Sequence, residues 1–346
     1  MKRALFIILL IFLTAVFFWR FSHVTTPRKE KVFTPTYEKI IRQKNFIEEI
    51  IFRYYPQPQA DLLSGMLVGS RAQMSPMLFE QLQITGTLHV IALSGTNISF
   101  LISSLIVLAK LLGKKQANIF SIFFIIGFIL FVGPSPSVVR AGIMGIMLLV
   151  AELVGKSFTA WYALFLTGFA MFLYNPDLIL DLSFQLSFLA TLGLVIFSFN
   201  DVKSYFKNSF KATVAAQIFT MPLILYHFGR ISLVSFLTNV LVAWLISYIM
   251  IFGFLAVFLS ISINKVCEFF NLSCSLFSFL PSFLVLPFVQ LFLLIINVTS
   301  QIPFASFIVS QKISLGLIFL YYSLVFFFTA TLRVKVRLHP KGDNKK

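Results

Sequence analysis

Apolar runs of about twenty residues recur along the whole of this chain, and that recurrence constrains the fold more than any other feature. A run of that length crosses a bilayer core of about 30 Å. In hydrocarbon the backbone must satisfy its own hydrogen bonds, which leaves helices or a closed barrel. The runs are continuous rather than alternating, so they predict helices. Of 346 residues, 58% are hydrophobic and 12% charged, whereas a soluble domain carries about 25% charged residues. The expected class is an all-α integral membrane protein, a polytopic helical bundle of about ten spans.

The spans are expected near Ala4–Ser22, Leu88–Leu112, Ala117–Val132, Ser137–Val154, Phe158–Tyr174, Leu178–Phe199, Phe210–Tyr226, Leu233–Ile261, Phe279–Val298 and Ile313–Leu332. Trp19, Arg20, Phe21 and His23 stand where a signal peptidase would need small residues, so residues 1–22 read as an uncleaved signal anchor. Residues 23–86 form a basic, partly amphipathic segment. Within it Tyr37–Tyr54 repeats Ile40, Ile41, Phe46, Ile47, Ile50 and Ile51 at helical spacing, the pattern of a helix lying on a membrane surface. Leu62–Val68 is apolar but too short to span, hence re-entrant or packed against the bundle. Residues 87–332 form the polytopic domain, and 333–346 a basic tail.

Cations orient the map. Ten spans place Lys2, Arg3, Lys110, Lys114, Lys115, Lys156, Lys203, Lys207, Lys211, Lys265 and the tail inside, leaving Arg230 and Lys312 in the short outer loops. That pattern obeys the positive-inside rule and predicts both termini on the cytoplasmic side. Residues 24–86 are then external, where Arg28, Lys29, Lys31, Lys39, Arg42, Lys44, Arg53 and Arg71 outnumber six acids. The net charge of +16 suits a polyanion such as DNA, although lipid headgroups attract the same cations.

Several chemistries are excluded. Gly155-Lys156-Ser157 lacks the leading glycine of a phosphate-binding loop, because Val150 holds that place. Four scattered histidines make no metallohydrolase cluster. No metal, cofactor, ATP motor or catalytic residue is expected. Cys267 and Cys274, about 10 Å apart if they share one helix, read as membrane-helix filler. Glu152 and Lys156 read as an i, i+4 surface pair.

Polar residues inside spans are costly and therefore informative. His89, Arg140, Asp181 and Gln185 fall near outer helix ends; Asn239 is deeper; Asn97 and Gln217 lie near mid-membrane. With Ser94 they are candidates for lining a polar path. The plainer alternative has Arg140 snorkelling or pairing with Asp181, with the amides joining helices. Breaks accompany them: Leu93-Ser94-Gly95-Thr96-Asn97, the Gly133–Pro136 turn just before Arg140, and Met221-Pro222, expected to kink the seventh span.

Five segments resemble, in order, the membrane channel domain of the ComEC-like competence (DNA internalisation) family. They are Leu62–Arg71, Gly86–Ser99, Gly133–Met144, Asp181–Gly193 and Gln217–Asn239, about half the chain. The histidine-then-serine-glycine segment, S-V-V-R-A and F-Q-L-S-F together are specific. The resemblance implies import of single-stranded DNA through the cytoplasmic membrane, with an external DNA receptor, a cytoplasmic helicase/ATPase and a nuclease as partners. About sixty residues between the first spans leave no room for the family's OB-like domain, and no hydrolase domain follows the last span. The nuclease is therefore expected on a separate polypeptide, or to be dispensable. Two other functions remain open: a small-solute or lipid transporter, and an intramembrane serine hydrolase built on Ser94 with His227.

Overall fold

The computed structural model describes residues 35–70, 74–91, 95, 98, 113–197, 205–270, 275–309, 314, 316–325 and 327. The signal-anchor span, most of the second span, the loop cations Lys110 and Lys203 and the basic tail lie outside the described residues.

The described chain is almost entirely helical. Its helices are α1 (Pro35–Tyr54), α2 (Gln59–Val68), α3 (Pro76–Ile84), α4 (Leu88–Ile91), α5 (Lys114–Val132), α6 (Pro136–Leu153) and α7 (Ala160–Tyr174). A 3-10 turn, Pro176–Leu180, leads to α8 (Leu182–Ile196), α9 (Tyr205–Phe228) and α10 (Ser235–Phe269). Then come α11 (Ser275–Phe279), α12 (Leu286–Ser300) and α13 (Gly316–Val325). The strand pairing among the described residues is antiparallel, β1 (Arg230–Ser232) with β2 (Ser306–Ile308), register Ile231 opposite Phe307.

Three helices, α5, α6 and α10, are long and apolar enough to cross a membrane. A fourth candidate is the pair Phe277–Leu284 and Leu286–Ser300, bent by 50°. One span, Phe279–Val298, was expected there; Pro281 and Pro287 remove two backbone donors beside the bend. The helices α7, α8 and α13 are apolar but shorter. Among the described residues these helices are those of a helical membrane protein, three of them, or four with the bent pair, having the length and apolarity of a full span. Along α5, Phe120, Phe123 and Leu130 are exposed, Phe123 by 68%. A soluble fold rarely leaves so contiguous an apolar face in water.

The chain divides into two compact units. The first holds described residues up to Leu78, then His89–Phe188 and Trp244–Leu293. Its core includes Ile50, Ile51, Leu62, Leu63, Met66, Leu67, Ile91 and Phe292. The α2 helix, Leu62–Val68 included, is buried from Ala60 onward. It packs on α10 where Gly253 leaves room: an added Cβ there would come within 3.1 Å of Leu67 and 3.5 Å of Leu63. The amphipathic α1 buries Ile50, Ile51 and Tyr54 in this core rather than leaving its whole apolar face to lipid. Lys44 donates to the last carbonyl of α5, Val132, at 3.0 Å, a cation at a helix C-terminus. Ten residues on, the Asn264 amide donates to Tyr54 Oη at 3.0 Å, and Ser278 Oγ donates to Asn264 Oδ1 at 2.6 Å.

Two expectations fail nearby. At about 1.5 Å per residue, α10 is roughly 52 Å long and stops at Phe269, so Cys267 and Cys274 do not share one helix; Cys267 is disulfide-bonded. The α6 helix ends at Leu153, so Lys156 has left it. Glu152 pairs instead with Lys114 at 3.4 Å and accepts from the Asn118 amide at 3.2 Å.

The second unit holds Phe79–Leu88, Leu189–Ala243 and the described residues from Leu294. Here α9 runs unbroken through Pro222. Proline has no N–H for the carbonyl four residues back, that of Ile218. The Tyr321 hydroxyl takes the missing donor's place at 3.0 Å, and Tyr322 donates to Phe219 O at 2.8 Å. Helices α8 and α9 meet closely at Gly193, where a Cβ would collide with the Ala215 carbonyl.

Candidate functional site

In the first unit the turn at Gly133, φ 103°, ends α5, and Pro136 occupies the first turn of α6. A proline there forfeits only a donor the helix would leave unused. One turn further in stands Arg140, 8% exposed. Its Nε donates to Ser187 Oγ on α8 at 2.7 Å, and Nη1 lies 3.5 Å from Met144 Sδ. The third wall is Gly95. A Cβ there would collide with Arg140 Nη2 and approach Ala141 Cβ to 3.2 Å, so the guanidinium lies flat against glycine backbone.

Asp181 does not neutralise this cation. It is exposed, and its Oδ1 accepts from the Phe184 backbone N–H at 3.0 Å, a helix N-cap. Gln185 donates to Ile179 O at 2.8 Å. Both organise the start of α8. Among the described residues the ion pairs are Arg53–Glu49 and Lys114–Glu152. Among the described residues Arg140 is thus a buried guanidinium held by a hydroxyl, a thioether and glycine backbone, with no carboxylate partner. Such a charge is costly in a membrane protein unless something negative visits it.

The second unit carries the other amides. Gln217 of α9 donates to Ser235 Oγ at 2.7 Å, and Ser235 donates to Ser232 O at 2.9 Å. Gly86, φ 69°, abuts this cluster: a Cβ would come within 2.6 Å of Ser235 Cβ. Asn239, one turn beyond Ser235, has a buried Oδ1 with no hydrogen-bond partner. A polar seam therefore runs along the start of α10.

Of the eight residues read from sequence, Arg140, Asp181 and Gln185 share the first unit with His89, which is exposed at the end of α4. Gln217 and Asn239 share the second. Ser94 and Asn97 lie outside the described residues. Ser187, Gly86 and Ser235 were not singled out, and Gly95 only as part of the break at Leu93–Asn97. Ser187 sits six residues from Asp181, a spacing that shares no helix face, so its pairing with Arg140 had no local signal. For Gly95 and Gly86 the signal was a small residue beside a polar one. No group of histidine, cysteine and acidic side chains among the described residues could hold a metal ion.

A family model described as Competence protein matches residues 66–335. ComE operon protein 3 of Bacillus subtilis (strain 168) is 26% identical over 230 residues, covering 65% of this chain and 30% of that protein. The chain thus spans less than two thirds of that relative. No solved structure matches. The match to the family model covers most of the chain, including the turn before Arg140 and the start of α10, so this chain belongs to the Competence protein family.

Proposed function

We propose that this chain is the membrane conduit through which single-stranded DNA enters a bacterial cell during natural transformation. The observation that carries the reading is Arg140, buried against Gly95 and Ser187 with no carboxylate partner among the described residues. A guanidinium so placed offers N–H donors to a passing phosphate, and a phosphate accepts two of them at once. Family membership supports the same reading. Arg140, His89, Ser94, Asn97, Asp181, Gln185, Gln217 and Asn239 are proposed to line or shape the path.

The conduit sits in the cytoplasmic membrane in about ten spans, with both termini inside. It works with an external DNA receptor and a cytoplasmic helicase/ATPase. It is not itself an enzyme; the strand that does not enter is degraded by a separate nuclease. The test is import of labelled DNA into a form protected from external nuclease, in cells whose own gene is replaced by variants. Losing one charge-assisted contact of about 1.5–3 kcal/mol should cut import roughly tenfold to a hundredfold in Arg140→Ala, while Arg140→Lys retains part of it. Wild-type import in Arg140→Ala would remove Arg140 from the path. Wild-type import in cells lacking the gene would overturn the function.

A further inference from the structure

We propose that the elbow between α6 and α7 is a binding site for an anionic glycerophospholipid, separate from the DNA path. The sequence suggested an i, i+4 surface pair of Glu152 and Lys156 here. The structure instead places a groove of about 520 Å³ in the elbow, within the roughly 300–1,000 Å³ of small-molecule sites. Met147 and Val150 of α6 and Phe158 and Tyr162 form its walls, with Lys156 and Thr159 at the rim.

Three observations specify the occupant. First, Lys156 has no carboxylate within ion-pair distance among the described residues, because Glu152 is engaged by Lys114 at 3.4 Å and Asn118 at 3.2 Å. The left-handed Gly155, φ 68°, reverses the chain so that the Lys156 N–H bonds back to Ala151 O at 2.9 Å. The elbow therefore presents exposed Lys156, while Glu152, one turn before it, is already engaged by Lys114. That balance selects an anion over a zwitterion.

Second, the α7 N-terminus opens at this rim. Thr159 makes no side-chain capping bond, and the first backbone N–H groups of a helix have no intrahelical acceptor. Phosphate oxygens suit such donors. Third, the walls are apolar, and Trp161 and Tyr162 are 47% and 72% exposed next to them. Aromatic rings of that kind mark the headgroup level of a bilayer. A free phosphate or a nucleic-acid backbone would leave the apolar walls unfilled; an acyl chain fills them while its headgroup meets Lys156. The lipid would then fix the angle between α6, which carries Arg140, and α7.

The test is native mass spectrometry of the full chain released from nanodiscs of equal phosphatidylglycerol and phosphatidylcholine, with Lys156→Gln and Val150→Trp compared with wild type. Wild type should retain phosphatidylglycerol preferentially. Lys156→Gln, an exposed change that leaves the core untouched, should lower that preference about fivefold. Val150→Trp, which fills the groove, should remove retained lipid of both kinds; Met147→Phe serves if Val150→Trp does not accumulate. Unchanged retention in Lys156→Gln would overturn the site. Preference lost in Lys156→Gln but retention unaltered by groove filling would also overturn it, reducing the elbow to surface charge. Displacement of the lipid by a single-stranded oligonucleotide, dependent on Lys156, would assign the elbow to the DNA path instead. DNA import with Arg140 intact is read separately, so failure here leaves the conduit reading standing.

Discussion

Pro222 sits inside α9 without breaking it, and the reason makes a quantitative prediction. The Ile218 carbonyl loses its backbone donor to the proline ring, and the Tyr321 hydroxyl supplies another from α13 at 3.0 Å. Tyr321→Phe removes that donor while keeping the ring. A buried carbonyl left unsatisfied costs about 1–3 kcal/mol, whereas interhelical hydrogen bonds in membranes average about 0.6 and reach about 1.7. Tyr321 is only half-buried, and its neighbour Tyr322 bonds the next carbonyl independently. The loss should therefore be about 1–1.5 kcal/mol, close to tenfold in the unfolding equilibrium. Pro222→Ala restores the backbone N–H, so in that background Tyr321→Phe should cost no more than about 0.5 kcal/mol. Reversible unfolding of the four proteins in mixed detergent micelles, followed by tryptophan fluorescence, gives the coupling directly. A coupling of about 1 kcal/mol is expected. Strict additivity would mean that the Tyr321 hydroxyl is not standing in for the missing amide.

Two further outcomes can be checked. Asp61 is 2% exposed, and one of its oxygens, Oδ1, has no partner; burial raises its pKa despite the Ser75 N–H that it accepts. A carboxyl whose folded pKa lies above its unfolded value stabilises the fold at low pH and loses that contribution as pH rises from the unfolded toward the folded pKa. Asp61→Asn should then raise the melting temperature at neutral pH and have little effect below about pH 4; equal shifts at both pH values would show that Asp61 does not titrate with folding. Single cysteines at Thr36 and at Lys207, in a background free of native cysteines, should be labelled from outside and only after permeabilisation, respectively. The reverse pattern would discard the ten-span map.

Much was legible in the sequence because it rests on period and composition. Membrane class follows from unbroken apolar runs, since no soluble surface could accommodate them. The turn at Gly133–Pro136 was equally plain, because Gly and Pro dictate backbone conformation locally. So was the helix at Tyr37–Tyr54, read from 3.6-residue spacing. The same local logic identified Arg140 as costly and therefore informative.

What tertiary structure decided were the partners, which depend on residues far apart in the chain. Sequence spacing offered Asp181 to Arg140 and Lys156 to Glu152. Folding assigned Ser187 and Gly95 to Arg140 and Lys114 to Glu152, because a helix that ends at Leu153 cannot keep an i, i+4 pair reaching to 156. Sequence read Pro222 as a kink in its span; what it could not supply is the donor, Tyr321, 99 residues later, for the carbonyl that proline leaves without one inside α9. Hydropathy read Leu62–Val68 as a short segment of ambiguous depth, and only the close approach that Gly253 permits buries it in the first unit. A residue's cost in a membrane can be read from its type, but what offsets that cost depends on which helix lies beside it, and one-dimensional spacing does not contain that information.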